Sequence, residues 1–169
     1  MAASKNFAAN MLLRKTSQTG TVVLLDSYPQ PASGATDPFV VANERQVALA
    51  YRIAPIDFER FGPFADDDEP FCLLLFPWAA FHRLGPPNDE GLGTHPLATL
   101  GLKWYSVHEV MNSSFVTDQW KVVSPHHVRR HFVITLQDST FECVATDCVL
   151  GGVYGSDDVA SREAFTRFR

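Results

Sequence analysis

Short apolar runs recur along the chain between clusters of turn residues. "TVVLLDSY" (21–28), "QVALAYRIA" (46–54), "FCLLLFPWAAFH" (71–82), "LKWYSVHEV" (102–110), "HFVITLQ" (131–137) and "TFECVATDCVL" (140–150) are rich in β-branched and aromatic residues. Runs of this length, bounded by Pro, Gly, Asn and Asp, predict strands. "PQPASGATDP" (29–38) reads as turns, and Asp66 to Glu69 read as a solvated loop. Helical signals are fewer. Ser113 or Ser114 would cap a short helix with Val116, Trp120 and Val123 on one face. At the end of the chain, "SDDVASREAFTRFR" places acids first and arginines last, as the helix dipole favours, with Ala160, Ala164 and Phe168 along one side. "GGVYGSD" (151–157) reads as a flexible connector before that helix. The pattern predicts an α+β fold: a basic arm over residues 1–20, then a single domain over 21–169. That domain would hold a largely antiparallel sheet of about six strands, open or curled toward a barrel, and two short helices.

"HFVITLQDSTFECVATD" carries the clearest local geometry, a hairpin with Asp138 and Ser139 at its tip. A two-residue turn would pair Thr135 with Glu142. It would put Phe132, Ile134, Leu136, Phe141, Cys143 and Ala145 on a core face. His131, Val133, Thr135, Glu142, Val144 and Thr146 would share the other face, as the lining of a pocket or a wet surface. In that register His131 and Glu142 stand about 13 Å apart, too far to share a metal ion.

Composition narrows the class. A chain of 169 residues is one domain's worth, and its net charge of −5 argues against a nucleic-acid partner. The one basic knot, "HHVRRH" (126–131), is too short for a duplex footprint. The longest apolar run, "CLLLFPWAAF", is interrupted by Pro77 and falls short of the roughly 20 residues that span a bilayer. Cys72, Cys143 and Cys148 show no CxxC spacing and read as reduced thiols in a cytoplasmic protein.

The candidate chemistry gathers in "HRLGPPNDEGLGTHPLATLGL" (82–102). Pro86 and Pro87 stiffen the backbone, and Asn88 and Asp89 make turns. Loops longer than roughly 12–15 residues in compact domains are usually functional or disordered. A rigid excursion presenting His82, Asp89, Glu90 and His95 is what a positioned acid/base site looks like, and a self-braced surface loop fits the same residues. "HEVMNSS" (108–114) adds Glu109, which would act as an acid/base if buried without a cation. Asn88, Asn112, Ser113, Arg130, His131 and Glu142 complete the candidates, as substrate-binding groups. There is no G-x-S-x-G elbow, P-loop or G-x-G-x-x-G fingerprint, so no nucleotide cofactor is predicted. No metal ligand set is assigned either; a divalent metal would require His82, His95 and a carboxylate to converge.

The motifs "HRLGPPNDE", "HPL", "GL", "HEVMNSSF", "RHF" and "DSTFECVA" resemble those of a group of small uncharacterised bacterial proteins. They span His82 to Ala145, and Phe115 stands where tryptophan is usual in that group. The resemblance implies grouping and no activity.

Two functional expectations follow. One is an enzyme acting on a small organic molecule in an aromatic-walled pocket under the 82–102 loop. There His82 or His95 would move the proton, with lyase, isomerase and hydrolase chemistry all fitting. The other is a non-catalytic module that uses the rigid loop as a ligand or protein interface. A homo-oligomer is compatible with either.

Overall fold

The computed structural model describes residues 18–34, 37–120 and 128–169. The expected arm up to residue 17, Val123, and His126 and His127 of the basic knot lie outside the described residues. The fold is α+β, with nine strands among the described residues arranged in two antiparallel sheets and no closed barrel. The first sheet contains β1 (Thr21–Leu24), β5 (Phe81–Gly85), β6 (Ser106–Met111), β7 (Arg130–Thr135) and β8 (Thr140–Ala145), in spatial order β1-β6-β7-β8-β5. The second contains β2 (Phe39–Ala42), β3 (Gln46–Arg52), β4 (Phe71–Pro77) and β9 (Val149–Tyr154), in order β2-β3-β4-β9. Helices α1 (Phe58–Phe61), α2 (Ser114–Gln119) and α3 (Asp157–Thr166) lie outside the sheets.

Alternation dictates how the sheets meet. Val47, Leu49 and Tyr51 of β3 and Cys72, Leu74 and Phe76 of β4 face Val107 of β6, Phe132 and Ile134 of β7, and Phe141 and Cys143 of β8. Each such side chain contributes about 1.5–3 kcal/mol by leaving water. The intervening residues of the second sheet, Ala48, Ala50 and Leu73, pack under Ala160 and Ala164 of α3, where small side chains permit close approach. Ser156 caps this helix, its Oγ accepting from the Val159 amide at 3.4 Å.

Three sequence expectations are corrected. The single strand expected over 71–82 is two strands, broken at Trp78, whose φ is +51°. β2 follows the turn-rich segment 29–38, in a stretch where no strand is predicted. The expected connector at 151–157 is mostly β9. Its glycines, which suggested flexibility, serve a bulge: Leu73 pairs with Gly152 and Leu74 with Leu150. Gly152 has φ +148°, and a Cβ on Gly151 would lie 3.0 Å from the Leu73 carbonyl, so the close approach excludes side chains there.

The hairpin keeps its expected faces but not its register. Thr135 pairs with Thr140, not with Glu142, and residues 136–139 form the connection, in which the Leu136 amide donates to the Ser139 carbonyl at 2.9 Å. The outer face of this first sheet is covered, not wet. Leu97 packs on Val110 and Val133. Thr140 Oγ1 donates to the Pro87 carbonyl at 2.9 Å, and Thr135 Oγ1 donates to the Lys103 carbonyl at 2.6 Å. The long loop is therefore a lid on the sheet.

Candidate functional site

His131 lies opposite Val144 and Glu142 lies opposite Val133, which makes the two side chains diagonal neighbours on the covered face. Nε2 of His131 is 2.8 Å from Oε1 of Glu142. The expected separation is overturned because a four-residue connection slides the strands by two positions, an even slip that preserves faces and changes neighbours. Arg83 faces Glu142 across β5 and β8, and its guanidinium donates to Oε2 at 3.2 Å. On the other side of the imidazole, Nδ1 is 2.7 Å from Oγ of Ser113. An ionised carboxylate only accepts, so in the neutral ring Nε2 carries the proton and Nδ1 accepts from the serine hydroxyl.

Ser113, His131 and Glu142 are all buried. Burial pushes the Glu142 carboxyl up, but the hydrogen bond from His131, the neighbouring imidazoles of His131 and His95 and the Arg83 guanidinium outweigh it and hold it below its usual range. Ser113 precedes α2 as the sequence predicts, yet its hydroxyl caps no amide of that helix and turns to His131 instead. Asn112, at φ +54°, makes the sharp turn from β6 that places it there.

Aromatic rings wall the imidazole. Phe115 lies 5.3 Å from the His131 ring, Phe81 lies 5.3 Å from Phe115, and Trp120 lies 5.8 Å from Phe81. They exclude water, which strengthens the polar contacts inside. A cleft of about 260 Å³ opens between the end of β6, α2 and the start of β7, bordered by Asn112, Ser113, Val116, Arg129, Arg130 and His131. Arg129 has no carboxylate partner among the described residues.

No family model, curated protein or solved structure matches the chain.

The loop delivers one of its two imidazoles to this face. His95 is buried, its Nδ1 accepts from the Leu97 amide at 3.2 Å, and its protonated Nε2 has no partner among the described residues. Burial lowers its pKa, opposed by Glu142 and reinforced by neighbouring Arg83 and His131. His82 stands opposite Cys143, on the face turned to the other sheet, and is exposed at the strand edge. His82 and His95 thus do not converge. Among the described residues no group of three His, Cys, Asp or Glu side chains is placed to hold a metal ion.

Asn88, Asp89 and Glu90 brace the loop. Asn88 Oδ1 accepts from the Gly91 amide at 3.0 Å. The Asp89 carboxylate accepts from the Glu90 amide and the Tyr105 hydroxyl, while its carbonyl accepts from Trp104 Nε1. Glu90 itself is exposed.

Glu109 and Arg130 face the inter-sheet side, not the covered one. Arg130 grips both Glu109 oxygens, at 2.7 and 2.6 Å, bonds Asp147 as well, and lies over the Phe132 ring at 5.0 Å. The condition for Glu109 to act as an acid/base, burial without a cation, is therefore not met: its carboxylate is engaged as an ion-pair partner of Arg130. The three cysteines are free and buried, and burial drives the Cys148 thiol up to about 12.

Sequence reasoning missed Arg83, Phe81, Phe115 and Trp120. One signal was available. Extending the strand past His82 would have put Arg83, by alternation, on the face of Glu142.

Proposed function

We propose that the protein is a small hydrolase in which Ser113 is the nucleophile, His131 the general base and Glu142 the group that orients and charges the imidazole. The observation that carries this reading is the continuous hydrogen-bonded line from Ser113 through His131 to Glu142 at the edge of a cleft. Nucleophile, base and orienting carboxylate within hydrogen-bond reach of one another are recognised by geometry and role, not by chain order. Here the ring works in the reverse sense to the familiar serine triad, with Nδ1 toward the serine and Nε2 toward the acid.

In the first step Oγ would bond to a substrate carbonyl carbon as its proton passes to Nδ1. The imidazolium so formed is stabilised by Glu142, which Arg83 keeps ionised and fixed. The ring then protonates the leaving group. A water attacks the acyl-serine with His131 again as base, releasing the acid and restoring the serine. Glu109 also lines the cleft but is paired with Arg130, so Val116 and Arg129 leave an apolar and basic border that suits a short acyl group carrying a negative charge.

The test is covalent labelling of the full chain with a fluorophosphonate, with adduct mapping by mass spectrometry, beside hydrolysis of p-nitrophenyl acetate and mono-p-nitrophenyl succinate. The expected result is an adduct on Ser113 and a loss of about a thousandfold in kcat/KM for Ser113→Ala and for His131→Asn. Activity retained in Ser113→Ala but lost in His131→Asn would replace the nucleophilic mechanism with simple acid/base chemistry of the lyase or isomerase kind. Absence of both adduct and turnover would leave the network as a brace in a non-catalytic binding module.

A further inference from the structure

We propose a second site, independent of the first, where the β2–β3 turn, the end of β4 and the C-terminal end of α3 meet. It would bind a small phosphate monoester carrying a planar ring. A cleft of about 280 Å³ lies there, bordered by Arg45, Gln46, Trp78, Arg167, Phe168 and Arg169 among others. Among the described residues no acidic side chain borders it, although the chain as a whole carries a charge of −5. Among the described residues no carboxylate pairs with any of the three arginines.

The negative end of α3 accounts for cations at Arg167 and Arg169. It does not account for Arg45, which comes from a different segment. The backbone of Arg45 is held by Asn43, whose Oδ1 accepts from the Arg45 and Gln46 amides at 2.9 and 3.0 Å. Its carbonyl accepts from the Trp78 amide, which ties the turn to the end of β4. Arg167 is pre-positioned too: its guanidinium donates to the Gly151 carbonyl at 2.8 Å, and its own carbonyl accepts from Gln46 Nε2 at 2.8 Å. Three like charges drawn to one cleft repel each other, and a bound dianion removes that repulsion. Guanidinium groups grip the oxygens of a phosphate in forked pairs, and three cations match a dianion better than a carboxylate.

Trp78 supplies the reason for a ring. A bulky residue at φ +51° occupies a sparsely populated region. Trp78 borders the cleft and is 54% exposed there. An indole offered beside arginines is a stacking surface for a planar group attached to the phosphate.

The test follows tryptophan fluorescence of the full chain titrated with adenosine monophosphate, inorganic phosphate and benzoate at low salt. Expected are saturable quenching by the nucleotide that disappears in Trp78→Phe, competition by phosphate, and benzoate binding more than about tenfold weaker. Arg45→Glu and Arg169→Glu, both at exposed positions, should weaken nucleotide binding by about tenfold or more and leave the melting temperature and ester hydrolysis unchanged. Quenching unaffected by either charge reversal, or none up to millimolar nucleotide, would overturn the site. So would a dimer that dissociates on Arg45→Glu, which would assign this face to a second copy of the chain.

Discussion

His108 offers the sharpest test of how the lid is held. Its imidazole is 1% exposed; Nδ1 lies 3.1 Å from the Val133 carbonyl and donates to it, and Nε2 accepts from the Lys103 amide at 3.2 Å. The ring therefore joins β6, β7 and the end of the lid only while it is neutral. Protonation would turn the acceptor toward Lys103 into a second donor. Burial, with the Lys103 charge adding and the Val133 hydrogen bond opposing, lowers its pKa to about 4. In the unfolded chain a histidine titrates near 6.5. Between those values the unfolded state binds a proton that the folded state refuses. The contribution is thus complete above about pH 6.5, shrinks by about 1.4 kcal/mol per unit as the pH falls, and is gone near pH 4, a total of about 3 kcal/mol.

His95 and Glu142 shift in the same direction, so the comparison must be differential. Urea unfolding of the wild type and of His108→Gln at pH 7.5 and 5.0, at constant ionic strength, isolates the one group. His108→Gln should lose about 2 kcal/mol less than the wild type between the two pH values, because about 1.5 units of the titration fall in that window. Hydrogen exchange at pH 5.0 should show the wild-type lid opening before the sheet. Equal losses for the two proteins would refute the claim that His108 is held neutral by the fold.

Arg130→Ala should destabilise by about 2–3 kcal/mol in urea, since it leaves the buried Glu109 without its cation, and Arg130→Lys should restore only part because an ammonium cannot fork across both oxygens. Gly152→Ala, at φ +148° with the Tyr154 hydroxyl 2.6 Å from the added carbon, should cost about 1–3 kcal/mol. Gly93→Ala, which meets open space, should shift the melting temperature little. The three thiols, all buried, should resist a disulfide reagent in native buffer and all titrate in denaturant.

Periodicity along the chain determined which residues look inward. The two faces of the β7–β8 hairpin, the alanine stripe of α3 and the burial of the cysteines follow from a side-chain period of two or 3.6, which is a local property. The number of strands did not follow. Glycines that suppress strand propensity at 151 and 152 are what the bulge against β4 requires, and that requirement comes from a partner distant in sequence.

The candidate site shows the same division. The sequence placed His131 and Glu142 on one face, but their contact depends on how many residues close the hairpin, and slips of two leave every face unchanged. Ser113 carried the signature of a helix cap, a role decided by whichever acceptor or donor the folded chain brings within reach. His95 reaches the covered face while Asp89 and Glu90 stay on the loop's own backbone, because proline and asparagine stiffen a segment without setting its direction. Direction came from Leu97 seating on Val110 and Val133, three apolar side chains from three segments that meet only once the sheet exists.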